Sequence, residues 1–374
     1  MTETALPKPI PVTVLTGYLG AGKTTLLNRI LTDNHGKKYA VIVNEFGEIG
    51  IDNDLIVESD EEIYEMNNGC ICCTVRGDLI RVVEGLMRRP GRFDAIIVET
   101  TGLADPVPVA QTFFMDDDVR QKTELDAVVA LVDAKHLPLR LKDSREAEDQ
   151  IAFADVVLIN KTDLVSPEEL ARVEATVRAI NPSARIHRTT RSEIDLTKVL
   201  DQGAFNLERA QENDPHFLDH DHPDHVCGPD CGHDHHHHDH DHDHHHHDHD
   251  HDHHHHDHDH GHHHHDHGVS PIHDVTVQSI SLRGGEMNPE RFFPWIQKIT
   301  QTDGPNILRL KGIIAFAGDD ERYVVQGVHM IVEGDHQRAW KDGETRESRL
   351  VFIGRDLDRE KIERTFKACE VQKA

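Results

Sequence analysis

The 374-residue sequence has little positive charge, few cysteines and no long apolar run, and each shortage excludes a class of protein. Its 40 Lys and Arg stand against 68 Asp and Glu, so it lacks the basic face that nucleic acids or anionic membranes attract. No apolar run approaches the roughly 20 residues of a membrane-spanning helix, and residues 1–11 lack the pattern of a secretory signal. Six Cys do not indicate a disulfide framework. We therefore expect a soluble cytoplasmic protein with neither nucleic acid nor a membrane as partner.

Residues 211–270 differ sharply in composition from the rest of the chain. Between Asp214 and His267 there are 15 Asp and no Lys, Arg or Glu, which leaves a net charge of −13 on the remaining residues. The same tract holds 28 of the 34 His. Because it has hardly an apolar residue to bury, we predict a disordered segment that binds metal through imidazole. A solvated charged loop is the alternative interpretation.

The chain on either side of this tract shows two kinds of pattern. Residues 1–210 alternate apolar, β-branched runs with amphipathic helical ones, which predicts an α/β domain with a mostly parallel sheet. Residues 271–374 predict a smaller C-terminal α+β domain of ordinary size. Its expected strands lie at residues 275–282, 307–317, 323–332 and 348–353, and its expected helices at 289–299 and 358–369.

The stretch GYLGAGKTT, residues 17–25, links the first predicted strand to a helical pattern. Its G-x-x-x-x-G-K-T spacing lets successive backbone N–H groups point at phosphate oxygens, with the positive end of a helix behind them. In such a loop Lys23 reaches the β- and γ-phosphates and the Thr24 hydroxyl holds Mg²⁺. An ordinary glycine-rich turn is the alternative, but the flanking strand and helix favour phosphate binding. The predicted nucleotide-binding residues here are Gly17, Gly20, Ala21, Gly22, Lys23, Thr24 and Thr25.

A second nucleotide signal, Asn160-Lys161-Thr162-Asp163, follows a later strand. The Asp163 carboxylate can accept two hydrogen bonds from guanine N1–H and its 2-amino group, an arrangement that adenine does not offer. We expect Asn160 to bind another edge of the base and the Lys161 stem to lie along its face. These are also ordinary turn residues. Downstream of a P-loop, however, they predict GTP as the nucleotide.

The sequence Glu99-Thr100-Thr101-Gly102 also follows a strand. A carboxylate there would act on Mg²⁺ through water or orient the attacking water, and the Gly102 N–H would bind the γ-phosphate. Thr100 or Thr101 could instead, or in addition, cap a helix that begins near Asp105. The predicted catalytic residues of a GTP hydrolase are therefore Lys23, Thr24 and Glu99.

Three thiols lie within four residues at Cys70, Cys72 and Cys73. Thiolates select Zn²⁺, Cu(I) or Co²⁺ over Mg²⁺, and the start of a helix lowers thiol pKa. Buried structural cysteine is the alternative interpretation. In sequence the cluster lies between the P-loop and Glu99. A bound metal and the γ-phosphate are therefore expected to bias the same backbone.

Taken together, these motifs resemble those of the CobW-type GTPases, which group with the nickel-accessory GTPases of urease and hydrogenase. The resemblance extends to residues 310–313 and 326–329 of the second domain. It implies a metallochaperone in which Cys70, Cys72 and Cys73 bind zinc or cobalt and GTP turnover is linked to delivery. The implied cofactors are GTP, Mg²⁺ and Zn²⁺ or Co²⁺, and the implied partner is a client metalloprotein.

Two other functions stay open on the sequence. One is cobalt supply to a chelatase in cobalamin synthesis, and the other is a metal buffer in which the His/Asp tract stores ions. A homo-oligomer is compatible with every one of these functions.

Overall fold

The computed structural model describes residues 9–33, 36–45, 62–67, 73–88, 93–102, 105–205, 276–341 and 343–371. Cys70, Cys72, the tract at 211–270 and residues 55–58, where the sequence also predicts a short strand, lie outside these ranges. None of the helices in the described part of the chain combines the length and apolar character needed to span a membrane.

The first sheet consists of seven parallel strands. Its strands are β1 (Ile10–Gly17), β2 (Tyr39–Glu45), β3 (Glu62–Asn67), β4 (Ala95–Glu99), β5 (Thr123–Asp133), β6 (Val156–Asn160) and β7 (Arg185–Arg188). Its helices are α1 (Lys23–Thr32), α2 (Cys73–Met87), α3 (Val107–Met115), α4 (Asp117–Arg120), α5 (Leu137–Asp143), α6 (Arg145–Phe153) and α7 (Pro167–Ile180). The strand order is β3-β2-β4-β1-β5-β6-β7. Every residue of β4 and β6 is buried, as expected for a parallel sheet covered on both faces. The predicted α/β fold is confirmed.

The second sheet is antiparallel and has the order β11-β10-β9-β12-β8. Its strands are β8 (Val277–Gly284), β9 (Ile307–Ala315), β10 (Glu321–Val328), β11 (Ile331–Ala339) and β12 (Ser348–Arg355), and its helices are α8 (Pro289–Thr302) and α9 (Arg359–Lys367). Phe292, Trp295 and Phe366 of the two helices form a core against one face of this sheet. Lone Cys369 is buried in the same core, where the sequence predicts a packing role.

The prediction of one strand over residues 323–332 is wrong. The structure divides this run into β10 and β11, which pair as a hairpin with Val328 opposite Ile331. His329 takes the left-handed conformation that the turn needs, with φ of 52°. Neither Gly nor Pro occupies the turn, so no ordinary turn residue indicates it.

A buried charged cluster joins the second sheet to the first. The Asp155 side chain is 1% exposed, and its Oδ1 accepts a hydrogen bond from Arg309 Nη2 at 3.1 Å and another from Lys311 Nζ. Its Oδ2 accepts from the Val128 backbone N–H at 2.8 Å. The Arg309 guanidinium lies 3.9 Å from the centroid of the Phe205 ring. Burial acts to raise the pKa of the Asp155 carboxyl, but the two cations outweigh it and hold that pKa below its ordinary value.

Apolar residues of both sheets continue this interface. Val157 and Ile159 of β6 share one core with Leu308, Ile313 and other residues of the second sheet. Phe205 and Thr276, which border residues 206–275, both lie here: Phe205 stacks on Arg309, and Thr276 Oγ1 donates to Glu148 Oε2 at 2.7 Å.

Candidate functional site

The carboxyl ends of the parallel strands bring the predicted nucleotide motifs together at one edge of the first sheet. Glu99, the last residue of β4, lies beside Leu15 of β1, just before the P-loop. Asn160, the last residue of β6, lies beside Asp133 at the end of β5. Ligand sites of open α/β sheets occur at this edge. The loops after β1, β4 and β6 therefore form a single candidate site.

The P-loop backbone depends on its glycines. Gly17, Gly20 and Gly22 have φ of 139°, 77° and 113°, which L side chains rarely adopt. A Cβ at Gly22 would lie only 2.4 Å from Asn160 Nδ2. Directly after Gly22, α1 begins with no acidic residue in its first turn. The positive end of the helix is thus left available to an anion.

Lys23 is held inside this loop. Lys23 is the first residue of α1 and is 8% exposed. Its Nζ donates to the Gly17 carbonyl at 2.7 Å and to the Tyr18 carbonyl at 3.5 Å. The ammonium group therefore lies where phosphate oxygens in a P-loop are bound. Thr24, which follows it, is half-buried, whereas Thr25 is exposed.

Asn160 braces the P-loop against two residues that the sequence did not predict, Thr189 and Ser192. Its Nδ2 donates to the Ala21 carbonyl at 2.9 Å and to Ser192 Oγ at 3.1 Å. Its Oδ1 accepts from the Ser192 N–H at 2.9 Å and from Thr189 Oγ1 at 3.1 Å. Ser192 Oγ also donates to the Gly22 carbonyl at 3.1 Å. These partners fill the donors and acceptors of the amide, so its position in this structure is that of a brace rather than of a base contact.

The sequence gives only a weak signal for Ser192. It belongs to a short polar loop after β7, the next parallel strand, and such loops are common. In the structure Arg191 and Ser192 both have left-handed backbones, with φ of 53° and 54°. Two consecutive residues of this kind, neither of them glycine, are typical of constrained functional loops.

Lys161 and Asp163 lie at the outer side of the same loop. Lys161 Nζ forms an ion pair with Asp133 Oδ2 at 2.8 Å, and His136 Nδ1 lies 3.0 Å from the same oxygen. Burial acts to raise the pKa of Asp133, but the bonds to Lys161 and His136 hold it below its ordinary value. Asp163 is exposed, in a short 3-10 helix over Thr162–Leu164. Its carboxylate is accessible to a base, and Lys161 is fixed in place.

Thr100 ties the loop after β4 to β1. It is fully buried, its Oγ1 donates to Thr16 Oγ1 at 3.0 Å, and its N–H donates to the Leu15 carbonyl at 2.9 Å. The alternative in which Thr100 or Thr101 caps the next helix is wrong. Helix α3 begins at Val107 without a side-chain cap from its preceding residue, and Asp105 Oδ1 accepts from the Val107 N–H at 2.9 Å.

Glu99 and Thr24 fit a magnesium ion chemically. Glu99 is 7% exposed at the end of β4, and the Thr24 hydroxyl follows the P-loop lysine. Mg²⁺ prefers such hard oxygen ligands and keeps several waters. This pair is therefore a chemically suitable donor set at the phosphate end of the site.

A cavity of about 250 Å³ lies beside the P-loop. It is lined by residues 18–21, by the end of β5 and by helices α5 and α6. On its rim the Arg140 guanidinium lies 4.7 Å from the centroid of the Tyr18 ring. Gln150 of α6 also lines the cavity, and its Nε2 donates a hydrogen bond to the Gly102 carbonyl.

The thiol segment is described only at its borders. Asn67 ends β3 and Cys73 begins α2, while Cys70 and Cys72 lie outside the described residues. Within the described ranges no group of three or more His, Cys, Asp or Glu converges on a point that could hold a metal ion. Metal binding by the three cysteines therefore stays a prediction.

Comparison with known proteins identifies the family. The CobW/HypB/UreG nucleotide-binding domain matches residues 11–188, and the cobalamin synthesis protein cobW C-terminal domain matches residues 277–370. The chain belongs to the CobW family of P-loop GTPases. The predicted family is thus confirmed. The predicted domain borders at residues 210 and 270 stay predictions.

The names of individual relatives of this CobW-family chain refer to zinc. It is 31% identical over 363 residues to the zinc chaperone YjiA of Escherichia coli, which covers 96% of this chain and 98% of that protein. It is 44% identical over 210 residues to zinc-regulated GTPase metalloprotein activator 1 of Schizosaccharomyces pombe. That match covers 54% of this chain and 51% of the relative, so it spans about half the relative's length. The solved structure of Zn(II)-bound YjiA GTPase from E. coli aligns at 25% identity with a TM-score of 0.68, over 98% of this chain and 100% of that chain.

Proposed function

We propose that this chain is a GTP-hydrolysing metallochaperone that binds a divalent metal, zinc in the first place, at Cys70, Cys72 and Cys73 and delivers it to a client protein. The family and the names of its relatives support the class of function. The observation that carries the proposal is the place where β3, the strand before the thiol segment, ends in the sheet. Asn67, the last residue of β3, lies at the same carboxyl edge of the sheet as the nucleotide loops.

The strand register supports this placement. Asn67 of β3 lies opposite Glu45 of β2, and Val43 of β2 lies opposite Glu99 of β4. Neighbouring strands are about 4.8 Å apart and a strand rises about 3.3 Å per residue, so Asn67, two strands across and two residues farther along, lies about 12 Å from Glu99. A metal at the thiols and a phosphate at Gly102 would thus act on loops that leave β3 and β4, the two strands on either side of β2. This proximity gives a physical route for the nucleotide to change metal affinity.

Each nucleotide contact has a distinct role. Lys23 places a cation at the β- and γ-phosphates, and the Gly102 N–H binds the γ-phosphate. Glu99 orients the attacking water at the end of its buried strand. The Thr24 hydroxyl would hold Mg²⁺, which would supply positive charge at the phosphate oxygens.

The exposed carboxylate of Asp163 selects guanine. It accepts from the N1–H and 2-amino groups of the base, whereas adenine presents a bare acceptor and no amino group at these positions. Asn160 acts on the same ligand indirectly, because it joins the base loop to the P-loop, to the Ala21 carbonyl directly and to the Gly22 carbonyl through Ser192.

The test is a zinc titration of the full chain with GDP and with a non-hydrolysable GTP analogue. The same titration is carried out on the triple variant Cys70→Ser, Cys72→Ser, Cys73→Ser. This variant keeps the 28 His of the tract and so corrects for metal bound there. We expect the wild-type zinc affinity to differ by about fivefold or more between the two nucleotides. The triple variant should lose this difference and keep the tract's binding. Equal affinities in both nucleotide states would reject the coupling, and an unchanged titration of the triple variant would reject the thiol site.

The composition of residues 214–267 favours a second candidate function, metal storage. Deleting these residues separates the two. A storage protein loses most of its metal capacity, whereas a metallochaperone keeps its nucleotide-dependent zinc binding at the three cysteines.

A further inference from the structure

Helix α6 presents buried polar side chains on two opposite faces. Glu148 is 4% exposed and Gln150 is 2% exposed. Two positions along a helix correspond to about 200° around its axis, so the two side chains point in nearly opposite directions. The helix contacts β1 and β5 of the first sheet and β8 and β9 of the second. It is therefore placed to connect the nucleotide edge with the second sheet.

The inner face of α6 contacts the loop that would bind the γ-phosphate. Gln150 Nε2 donates to the Gly102 carbonyl at 3.2 Å in a buried hydrogen bond. Gly102 itself lies against the P-loop, since a Cβ there would be 2.5 Å from the Leu19 backbone nitrogen. Ala147 and Ile151 lie on the same face as Gln150 and line the cavity beside the P-loop. The position of Gly102 is thus fixed between the P-loop on one side and Gln150 on the other.

The outer face of α6 holds the second sheet. Glu148 Oε1 accepts from the Val277 N–H, at the start of β8, at 2.7 Å. Its Oε2 accepts from Thr276 Oγ1 at 2.7 Å and from Arg355 Nη2 at 3.2 Å. Arg355, at the end of β12, also forms an ion pair with Asp149. Consecutive residues of one helix therefore clamp two strands of the second sheet.

We propose that Gln150 is a positioning residue for the phosphate-binding loop and that α6 transmits the state of that loop to the second sheet. A shift of Gly102 toward or away from a phosphate must either break the hydrogen bond to Gln150 or move α6. Because a helix moves as a rigid element, its displacement changes the bonds that Glu148 makes on the opposite face. The inference rests on the proposed function only for the identity of the nucleotide, and it involves neither zinc nor the cysteines.

The first test measures amide hydrogen exchange over residues 276–284 in the full chain, without added zinc. The chain is saturated with GDP in one sample and with a non-hydrolysable GTP analogue in the other. We expect the exchange rate of this segment to differ by about fivefold or more between the two nucleotides in the wild type. Gln150→Met, which keeps the length of the side chain and removes its donor, should abolish that difference.

The matched control is Gln202→Met. Gln202 is also buried, at 3% exposure, and its Nε2 also donates to backbone carbonyls, those of Thr197 and Leu200, which lie outside the phosphate-binding loop. This variant should keep the nucleotide-dependent difference. A wild type without the difference, or a Gln150→Met variant that retains it, would overturn the proposal.

A second variant tests the outer face of α6. Glu148→Gln weakens the bond to Arg355, and linkage requires that it change the ratio of the affinities for the GTP analogue and for GDP. Glu174→Gln, which removes an ion pair with Arg188 elsewhere in the first domain, should leave that ratio unchanged. An unaltered ratio in Glu148→Gln contradicts the relay. Because zinc is absent throughout, a failure here would leave zinc delivery standing, and a failure of zinc delivery would leave these results standing.

Discussion

Two polar clusters of this molecule contain similar residues but differ in their surroundings. In the interface between the sheets, Asp155 is buried and paired with Arg309 and Lys311, and the Phe205 ring packs against Arg309. At the carboxyl edge of the first sheet, Lys23 and Asn160 are also hydrogen-bonded, but Asp163 is exposed and the first turn of α1 contains no acidic residue. Burial of charge therefore does not distinguish a binding site from a structural contact. What distinguishes the edge cluster is that some of its groups are directed at space that a ligand can enter.

The substitution Asp155→Asn should show the largest difference between the two clusters, a loss of stability without a loss of nucleotide affinity. It would leave the Arg309 and Lys311 side chains buried without an anion, so we expect the free energy of unfolding to fall by about 3–5 kcal/mol. Chemical denaturation measures this loss. Nucleotide affinity under conditions where the variant is folded should stay at the wild-type value. Glu174→Gln, which removes a partly exposed ion pair, should cost less than about 1 kcal/mol. A similarly small loss of unfolding free energy for Asp155→Asn would show that Arg309 and Lys311 do not depend on Asp155 for charge compensation.

The substitution Lys23→Met tests the opposite cluster. The variant keeps the apolar stem of the side chain and removes the ammonium group from the P-loop. We expect kcat/KM for GTP to fall by about 10²–10³-fold, because a fixed charge at the transferred phosphate is lost. Thermal unfolding measured beside the kinetics should show little change. If stability fell as far as in Asp155→Asn, the lysine would be mainly a structural residue and the contrast between the clusters would fail.

A pH series sharpens the contrast further. Burial lowers the pKa of Lys311 from 10.5 to about 8, against the attraction of Asp155. Between these two values the unfolded chain binds a proton that the folded chain has released, so the free energy of unfolding rises with pH, by up to about 1.4 kcal/mol per unit. Denaturation of the wild type and of Lys311→Met from pH 8 to 10.5 isolates this contribution by difference. Parallel curves for the two proteins would contradict it.

The smallest expected effect concerns Ser192. Ser192→Ala removes the hydrogen bonds that its hydroxyl makes with Gly22 and Asn160, which should weaken nucleotide binding by about 0.5–1.5 kcal/mol. Titration with GDP measures the change. Ser183→Ala is a suitable control, because the Ser183 hydroxyl also bonds an asparagine, Asn181, but outside the nucleotide site. Equal effects of the two variants on GDP affinity would remove Ser192 from the site.

Sequence patterns predicted the parts of the molecule that depend on neighbouring residues. The P-loop, the strand endings at Glu99 and Asn160 and the parallel sheet follow from local spacing, and the structure contains each of them. The hairpin at His329 was missed because its turn has neither Gly nor Pro. The position of Thr100 was missed because its partner, Thr16, is 84 residues away.

The interface cluster shows even more clearly that local sequence patterns do not reveal contacts between distant residues. Asp155 and Arg309 are separated by 154 residues, and each alone has the pattern of a solvated charge. Nothing local indicates that β9 will place Arg309 and Lys311 on the face that meets Asp155. Ser192 was missed for the same reason, since its role depends on the loop of Gly22, 170 residues earlier.

The anchoring of Phe205 and Thr276 has an evolutionary consequence. Both residues that border positions 206–275 are fixed to the folded body, Phe205 by Arg309 and Thr276 by Glu148. The composition predicts a disordered segment between these two ends, and such a segment can be lengthened or shortened at small thermodynamic cost, because closure entropy grows only slowly with length. Mutations that add or delete His/Asp repeats there are therefore expected to be tolerated. Selection could adjust the number of histidines without having to remodel either sheet.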